Sequence, residues 1–201
     1  MMKNLLVLFL FLYSWDSLAQ SKEDYRKGYV TSYNYIKSTI DLERRIGTLM
    51  VACAHLGNPS SGFRTELHVS SDEIPNDINL VLCDYIRKKY DVVESCAQLF
   101  GTNAKFIQHV KDSIDIFKKK REELEIYSVA DVIPEYLSSD ETGYVLFYSK
   151  IYDKTLSVEL MSFCDSYKEG RNWYGASQIF YFTFTEDWEI EDVFIGKKHY
   201  Q

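Results

Sequence analysis

The chain has 201 residues, a formal net charge of −7 and 15% aromatic side chains. That length supports one sizeable hydrophobic core, and no Pro/Gly/Ser-rich linker divides it. The acidity argues against a dedicated phosphate-backbone binder, so no nucleic acid is expected as a partner.

Residues 1–19 read as a secretory signal peptide. Lys3 gives the start a positive charge, Leu5 to Trp15 form an apolar run, and Ser17 to Ala19 place small residues before a cut. The run is shorter than the roughly 17–25 residues needed to span a bilayer. The mature chain from Gln20 is therefore expected to be exported, to the periplasm or the extracellular medium of a bacterium, and not to be transmembrane.

Residues 22–56 carry Tyr29, Tyr33, Ile36, Ile40, Ile46, Met50 and Cys53 at mostly three- and four-residue steps, the stripe of a core-facing helix. "GNPSSG" at Gly57 to Gly62 ends it. Residues 64–69 read as a short strand or an extended loop. A second helix is expected from Asp77 to Leu99, with Ile86, Tyr90, Val93, Ala97 and Phe100 as its stripe and Gly101 closing it. A third follows a cap at Thr102 or Asn103, burying Ile107, Val110, Ile114 and Phe117. "KKKR" at Lys118 to Arg121 runs into "EELE", which places opposite charges on one solvated helix face. A turn or short helix around Ser128 to Leu137 contains Pro134.

The last third changes period. "YVLFYSKIY", "TLSVELMSFC", "SQIFYFTF" and "IEDVFI" read as four strands, and their short connections favour antiparallel neighbours. The expected fold class is α+β: over residues 20–201, an N-terminal helical layer, about 22–137, packs against a C-terminal four-stranded antiparallel sheet, about 143–195. This element order resembles the cone-shaped nuclear-transport-factor-2-like and cystatin-like architectures, which implies helices against a curved sheet.

Four cysteines, Cys53, Cys83, Cys96 and Cys164, allow three full disulfide pairings. If residues 78–99 form one helix, Cys83 and Cys96 lie about 20 Å apart, beyond the roughly 7 Å that a disulfide spans. Cys53 would then join Cys83 or Cys96, with Cys164 taking the other. "CAH" at Cys53 to His55 lacks a compact set of further ligands, so neither a metal nor a cofactor is expected. No cysteine or serine sits in a recognisable nucleophile signature.

Two functional readings remain. The first is an exported binding or protein-interaction domain without identifiable catalytic machinery, its partner an envelope protein or a glycan. Its candidate residues are Arg171, Trp173 and Tyr174 in the loop "GRNWYG", with Tyr148, Met161 and Tyr181 on the sheet. The strand period turns Phe180, Phe182 and Phe184 to one side as core and Tyr181 to the other. "YVLFYSKIY" is apolar on both sides as well. Tyr148, Tyr181 and Met161 are thus expected to line a groove, a covered second layer or the face of a homodimer. The second reading is a cell-envelope or secreted hydrolase with carboxylates drawn from separate loops or strands: Asp72, Glu73 and Asp77 in "SSDEIPND", or Glu159. Glu159 interrupts an apolar strand and is expected on an open surface.

Overall fold

The computed structural model describes residues 22–45, 49, 67–75, 78–79, 81–102, 105–112, 127–138, 143–152, 154–163 and 176–199. Helix α1 covers residues 22–39, with a further helical turn at 42–45. Strand β1 (His68–Glu73) follows, then helices α2 (Leu82–Lys89), α3 (Cys96–Thr102), α4 (105–112) and α5 (Val129–Val132) and a 3-10 turn at Pro134–Tyr136. Strands β2 (Gly143–Tyr148), β3 (Thr155–Phe163), β4 (Ala176–Phe184) and β5 (Ile190–His199) complete the order.

The α+β class is as expected, but among the described residues the sheet has five strands rather than four, in the order β1-β2-β3-β4-β5. Strands β2 to β5 form an antiparallel meander, and β1 runs parallel to β2. A parallel pair needs a long crossover, and the helices α2 to α5 lie in that connection. Leu137 and Ser138 then return beside Val69, which covers part of the outer edge of β1. β5 continues to His199, so "KKH" is paired strand up to that residue.

Helices cover both faces of this sheet. On the first face, Tyr29 and Ile36 of α1, with Ile40 just after it, pack with Leu146, Tyr148, Val158, Phe180 and Phe182. On the second face, Leu82, Tyr85 and Ile86 of α2, Leu99 of α3, and Ile107 and Val110 of α4 pack with Tyr181 and Phe194. The reason lies in the strands. Val145 to Tyr148 and Ile179 to Phe182 are buried without a break, so neither face can be left to water.

Aromatic edges and phenolic hydroxyls seat α1. Tyr29 meets Tyr148 edge-on at 5.6 Å and Tyr35 meets Phe182 at 5.6 Å. The Tyr29 hydroxyl lies 3.2 Å from the carbonyls of both Tyr127 and Ser149, and burial pushes its pKa well above the usual phenol value. It therefore stays a neutral donor at any physiological pH. Gly28 is the point of closest approach: a Cβ there would lie 2.9 Å from Ile151 Cδ1 and 3.0 Å from the Trp188 ring. Trp188 cannot easily retreat. It sits in a left-handed backbone conformation (φ 65°), with Tyr25 at 5.8 Å and Phe184 at 5.8 Å.

The expected second helix is corrected. α2 stops at Lys89, where Asp91 takes a left-handed conformation (φ 52°) and the Val92 amide donates to the Arg87 carbonyl at 2.9 Å. This is the six-to-one bond of a helix stop, with aspartate in place of the usual glycine. Of the expected stripe only Ile86 is buried: Tyr90, Val93, Ala97 and Phe100 are exposed, and Leu82, Tyr85 and Leu99 are buried instead. Gly101 lies inside α3 rather than closing a helix. The reversal brings Cys83 and Cys96, excluded as a pair on the one-helix reading, to a Cα separation of 5.7 Å in a disulfide. Cys53 and Cys164 lie outside the described residues.

Two outcomes follow from this packing. Gly28→Ala should lower stability by about 1 kcal/mol, because overpacking against Trp188 and Ile151 outweighs the helix propensity gained. A urea midpoint that rises would overturn the close-approach argument. Replacing both Cys83 and Cys96 by serine should cost about 3 kcal/mol through the freed loop, with faster amide exchange in α2 and α3. A non-reduced peptide map that links Cys83 to another cysteine contradicts the pairing.

Candidate functional site

Side chains on the second face of the sheet fall into rows set by register. One row is Ser157, Tyr181 and Phe194; Tyr85 of α2 covers it, meeting Tyr181 at 5.8 Å and Phe194 at 5.7 Å. The next row toward the end of α2 is Thr155, Thr183 and Asp192. Here the covering changes from apolar to charged, because α2 ends in Arg87, Lys88 and Lys89, all exposed. The result is an open cleft of about 370 Å³ between the end of α2, the start of β3 and the facing ends of β4 and β5.

Three lysines line this cleft, each held differently. Lys88 pairs with Asp192 across the gap from α2 to β5. The Lys89 ammonium donates to the Tyr85 hydroxyl at 2.6 Å and lies 5.1 Å from the centre of that ring. Lys154 occupies the β2–β3 connection with φ 58°, stands 3.6 Å over the Trp188 ring and donates to the Glu186 carbonyl at 3.1 Å. Its charged neighbour is the Glu186 carboxylate at 3.9 Å, on a side chain that is 96% exposed. Such exposed pairs contribute little and exchange readily, roughly 0–1 kcal/mol each. The Thr183 hydroxyl oxygen in the cleft wall is buried and has no hydrogen-bond partner among the described residues. A concave site with aromatic walls and a few converging polar groups is the common form of a small-ligand seat.

The sequence-derived candidates are placed elsewhere. Tyr148 and Tyr181 were expected to share a face, but Tyr148 is fully buried on the first face against α1, and Tyr181 is buried on the second beneath Tyr85. The register explains the correction: Tyr148 is paired with Val158 and Val158 with Phe180, so Tyr148 belongs to the phenylalanine side. Met161 is half-buried on the second face among Val145, Phe147 and Phe163. Arg171, Trp173 and Tyr174 lie outside the described residues, as does Asp77.

Among the described residues, Glu73 and Glu159 are not brought together. Asp72 and Glu73 are exposed at the end of β1, with Glu73 registered beside Tyr148 and 3.9 Å from Lys150. Glu159 is not on an open surface as expected but 3% exposed, registered between Phe147 and Ile179 on the second face. The Ser177 hydroxyl donates to its Oε1 at 2.5 Å, and Lys198 Nζ stands 3.8 Å from Oε2. Glu73 and Glu159 are thus on opposite faces of the sheet. A further ligand-type cluster, Cys83, Asp84 and Cys96, has both sulfurs committed to the disulfide.

The reasoning from sequence missed Lys88, Lys89, Lys154, Thr183 and Asp192. A local signal was present in "RKK" at Arg87 to Lys89, but it gains meaning only through the position of α2 over the sheet.

The seating of Glu159 is testable. Ser177→Ala should cost roughly 1.5–3 kcal/mol in urea unfolding, since it removes a hydrogen bond to a buried carboxylate, whereas Lys198→Ala should cost under about 1 kcal/mol because that ammonium is half in water. The reverse ranking would show that the ion pair, not the hydroxyl, holds Glu159. Comparison with protein-family models, with curated proteins and with solved structures finds no match to this chain.

Proposed function

We propose that this chain is an exported, noncatalytic binding domain whose ligand seat is the lysine-lined cleft between α2 and the ends of β3, β4 and β5. The observation that carries the reading is the cleft itself: a concavity of about 370 Å³ on the sheet, lined by Tyr85, Phe184 and Phe194 together with lysine, threonine and aspartate side chains. A glycan or an envelope protein remains the partner class, since ammonium, hydroxyl and aromatic groups together suit a polar ligand with an apolar face.

Export draws support from the Cys83–Cys96 disulfide, because such bonds persist in oxidising compartments. No helix among the described residues is long and apolar enough to cross a membrane. The rival hydrolase reading draws less support, because Glu73 and Glu159 are separated by the sheet. A homodimer through the second face also loses ground where α2 to α4 already cover Tyr181 and Phe194.

Backbone amide shift mapping with a panel of small neutral and charged oligosaccharides tests the reading. Perturbations should cluster at Tyr85, Lys88, Lys154, Thr183 and Phe194, and the compounds should come back unchanged. Clustering at Asp72 and Glu73 would reject the cleft, and chemical conversion of any compound would reject the noncatalytic role.

A further inference from the structure

We infer that the outer edge of β5 is a self-association surface, and that its partner is the β5 edge of a second copy of this chain, running antiparallel about a twofold axis at Ile195. The contact is made along the strand edge and leaves the second face, which α2 to α4 cover, as it is.

The two edges of the sheet are finished differently. β1 has six residues, and Leu137 and Ser138 return beside Val69 to cover part of its outer side. β5 has ten residues and ends the strand order, and among the described residues no strand pairs with its outer side. Its ladder with β4 is continuous from Asp192 to His199, and the one irregularity is an extra residue, Glu191, before it. In the middle of that stretch stands Ile195, 48% exposed, on the same face as Val193, which packs against the first-face core. An edge of this length presents unpaired amide and carbonyl groups to any strand that fits, and an exposed aliphatic side chain in its centre gains by leaving water.

The charges decide which strand fits. Directly opposed residues of an antiparallel pair share a face, so a self-pair must match positions of equal alternation. With Ile195 on the axis, Ile195 meets its own copy, Val193 meets the partner's Lys197, and Asp192 meets the partner's Lys198. Within one chain Lys88 already pairs with Asp192, and Lys198 Nζ stands 3.8 Å from Glu159 Oε2. Joining the edges therefore builds a row of alternating sign: Lys88, Asp192, the partner's Lys198 and the partner's Glu159. The twofold axis makes that row twice. No charge has to leave its present partner, and the Asp192 and Lys198 side chains, 19% and 45% exposed, keep surface for a second one. Neighbouring registers lose this match. Centring on Phe194 sets Asp192 against Gly196 and brings the extra residue at Glu191 into the ladder, while centring on Gly196 sets Lys198 against Phe194 and Lys197 against Ile195. Terminal lysines and a bulge discourage foreign strands, yet in this one register the same strand reversed supplies the opposite charge.

The test is sedimentation of the full mature chain from about 2 to 200 μM, which should show a monomer–dimer equilibrium that shifts with concentration. Ile195→Lys sets like charges opposite each other on the axis and should weaken the dimer at least about tenfold, and Lys198→Ala should weaken it roughly threefold. Melting temperatures near that of the wild type establish that both variants fold. Cysteine pairs read the register directly, because opposed residues bring their Cβ atoms within about 5.5 Å, where oxidation links them. Ile195→Cys should cross-link to itself. Val193→Cys and Lys197→Cys should each stay unlinked alone and join when mixed, a result that stands even where Ile195→Lys fails to fold. A chain that stays monomeric across the range overturns the proposal and leaves the edge to a strand of another protein. A dimer that Ile195→Lys leaves intact overturns it too, as does one in which Lys197→Cys links to itself as readily as Ile195→Cys.

Discussion

The structure depends on a pair of central strands that are apolar on both faces. In β3 and β4 the first-face residues Leu156, Val158, Leu160, Phe180 and Phe182 and the second-face residues Ile179 and Tyr181 are all at or below 4% exposure. Each such side chain contributes roughly 1.5–3 kcal/mol only if it leaves water. One helical layer can bury one face, so the other must find its own cover. The long connection from β1 to β2 supplies it, folding α2, α3 and α4 over Tyr181 and Phe194. The three-layer arrangement is thus a consequence of strand composition, and the resemblance to one-sided helix-on-sheet architectures ends at element order.

The two layers are attached by different chemistry. On the first face, α1 uses tyrosines: their rings bury area, and their hydroxyls reach backbone carbonyls that regular pairing leaves unserved. Tyr29 reaches Tyr127 and Ser149, and Tyr33 reaches Leu67 at 3.4 Å. Phenylalanine would supply the area without the donors, leaving buried carbonyls unpaired at a cost of about 1–3 kcal/mol each. Arg26 adds a bond to the Val132 carbonyl at 3.0 Å and an ion pair with Glu135 at 2.5 Å, joining α1 to the α5 region. On the second face a disulfide ties α2 to α3, and the contacts with the sheet are mainly apolar.

Much of the fold was legible because period reports burial. The stripe Tyr29, Tyr33 and Ile36 predicted the buried side of α1, with Ile40 buried just after it, and the alternation through Phe180, Phe182 and Phe184 predicted the first-face core. The helix stop at Asp91 was not legible. Nothing in "KKYDVVESC" is a glycine or a proline, and Tyr90, Val93 and Phe100 continue a helical spacing that the chain does not follow. Aspartate enters the left-handed region only occasionally, so its presence in a sequence does not by itself mark a helix stop. Glu159 was misread for a related reason: its fate depends on Ser177 and Lys198, which a neighbouring strand pair brings to it. The cleft was the least legible part. Lys88, Lys154, Thr183 and Asp192 come from one helix, one turn and two strands, and no local spacing links them.

The helix stop and the cleft are the same event. Had α2 run on to Leu99, as the spacing suggests, about 15 Å more of helix would follow Lys89. Tyr90 and Val93 would then extend an apolar face beyond the row of Tyr181 and Phe194, above Thr155, Thr183 and Asp192. Stopping at Asp91 instead ends α2 in a basic turn over a polar row, and turns Tyr90 and Val93 out to solvent. The disulfide fixes that choice, since Cys83 and Cys96 can meet at a Cα separation of 5.7 Å only if the chain reverses between them. The positions of Lys88 and Lys89 therefore depend on a bond several residues away on another side of the helix. An interaction that looks like structural bracing on α2 is also what gives the cleft its charge.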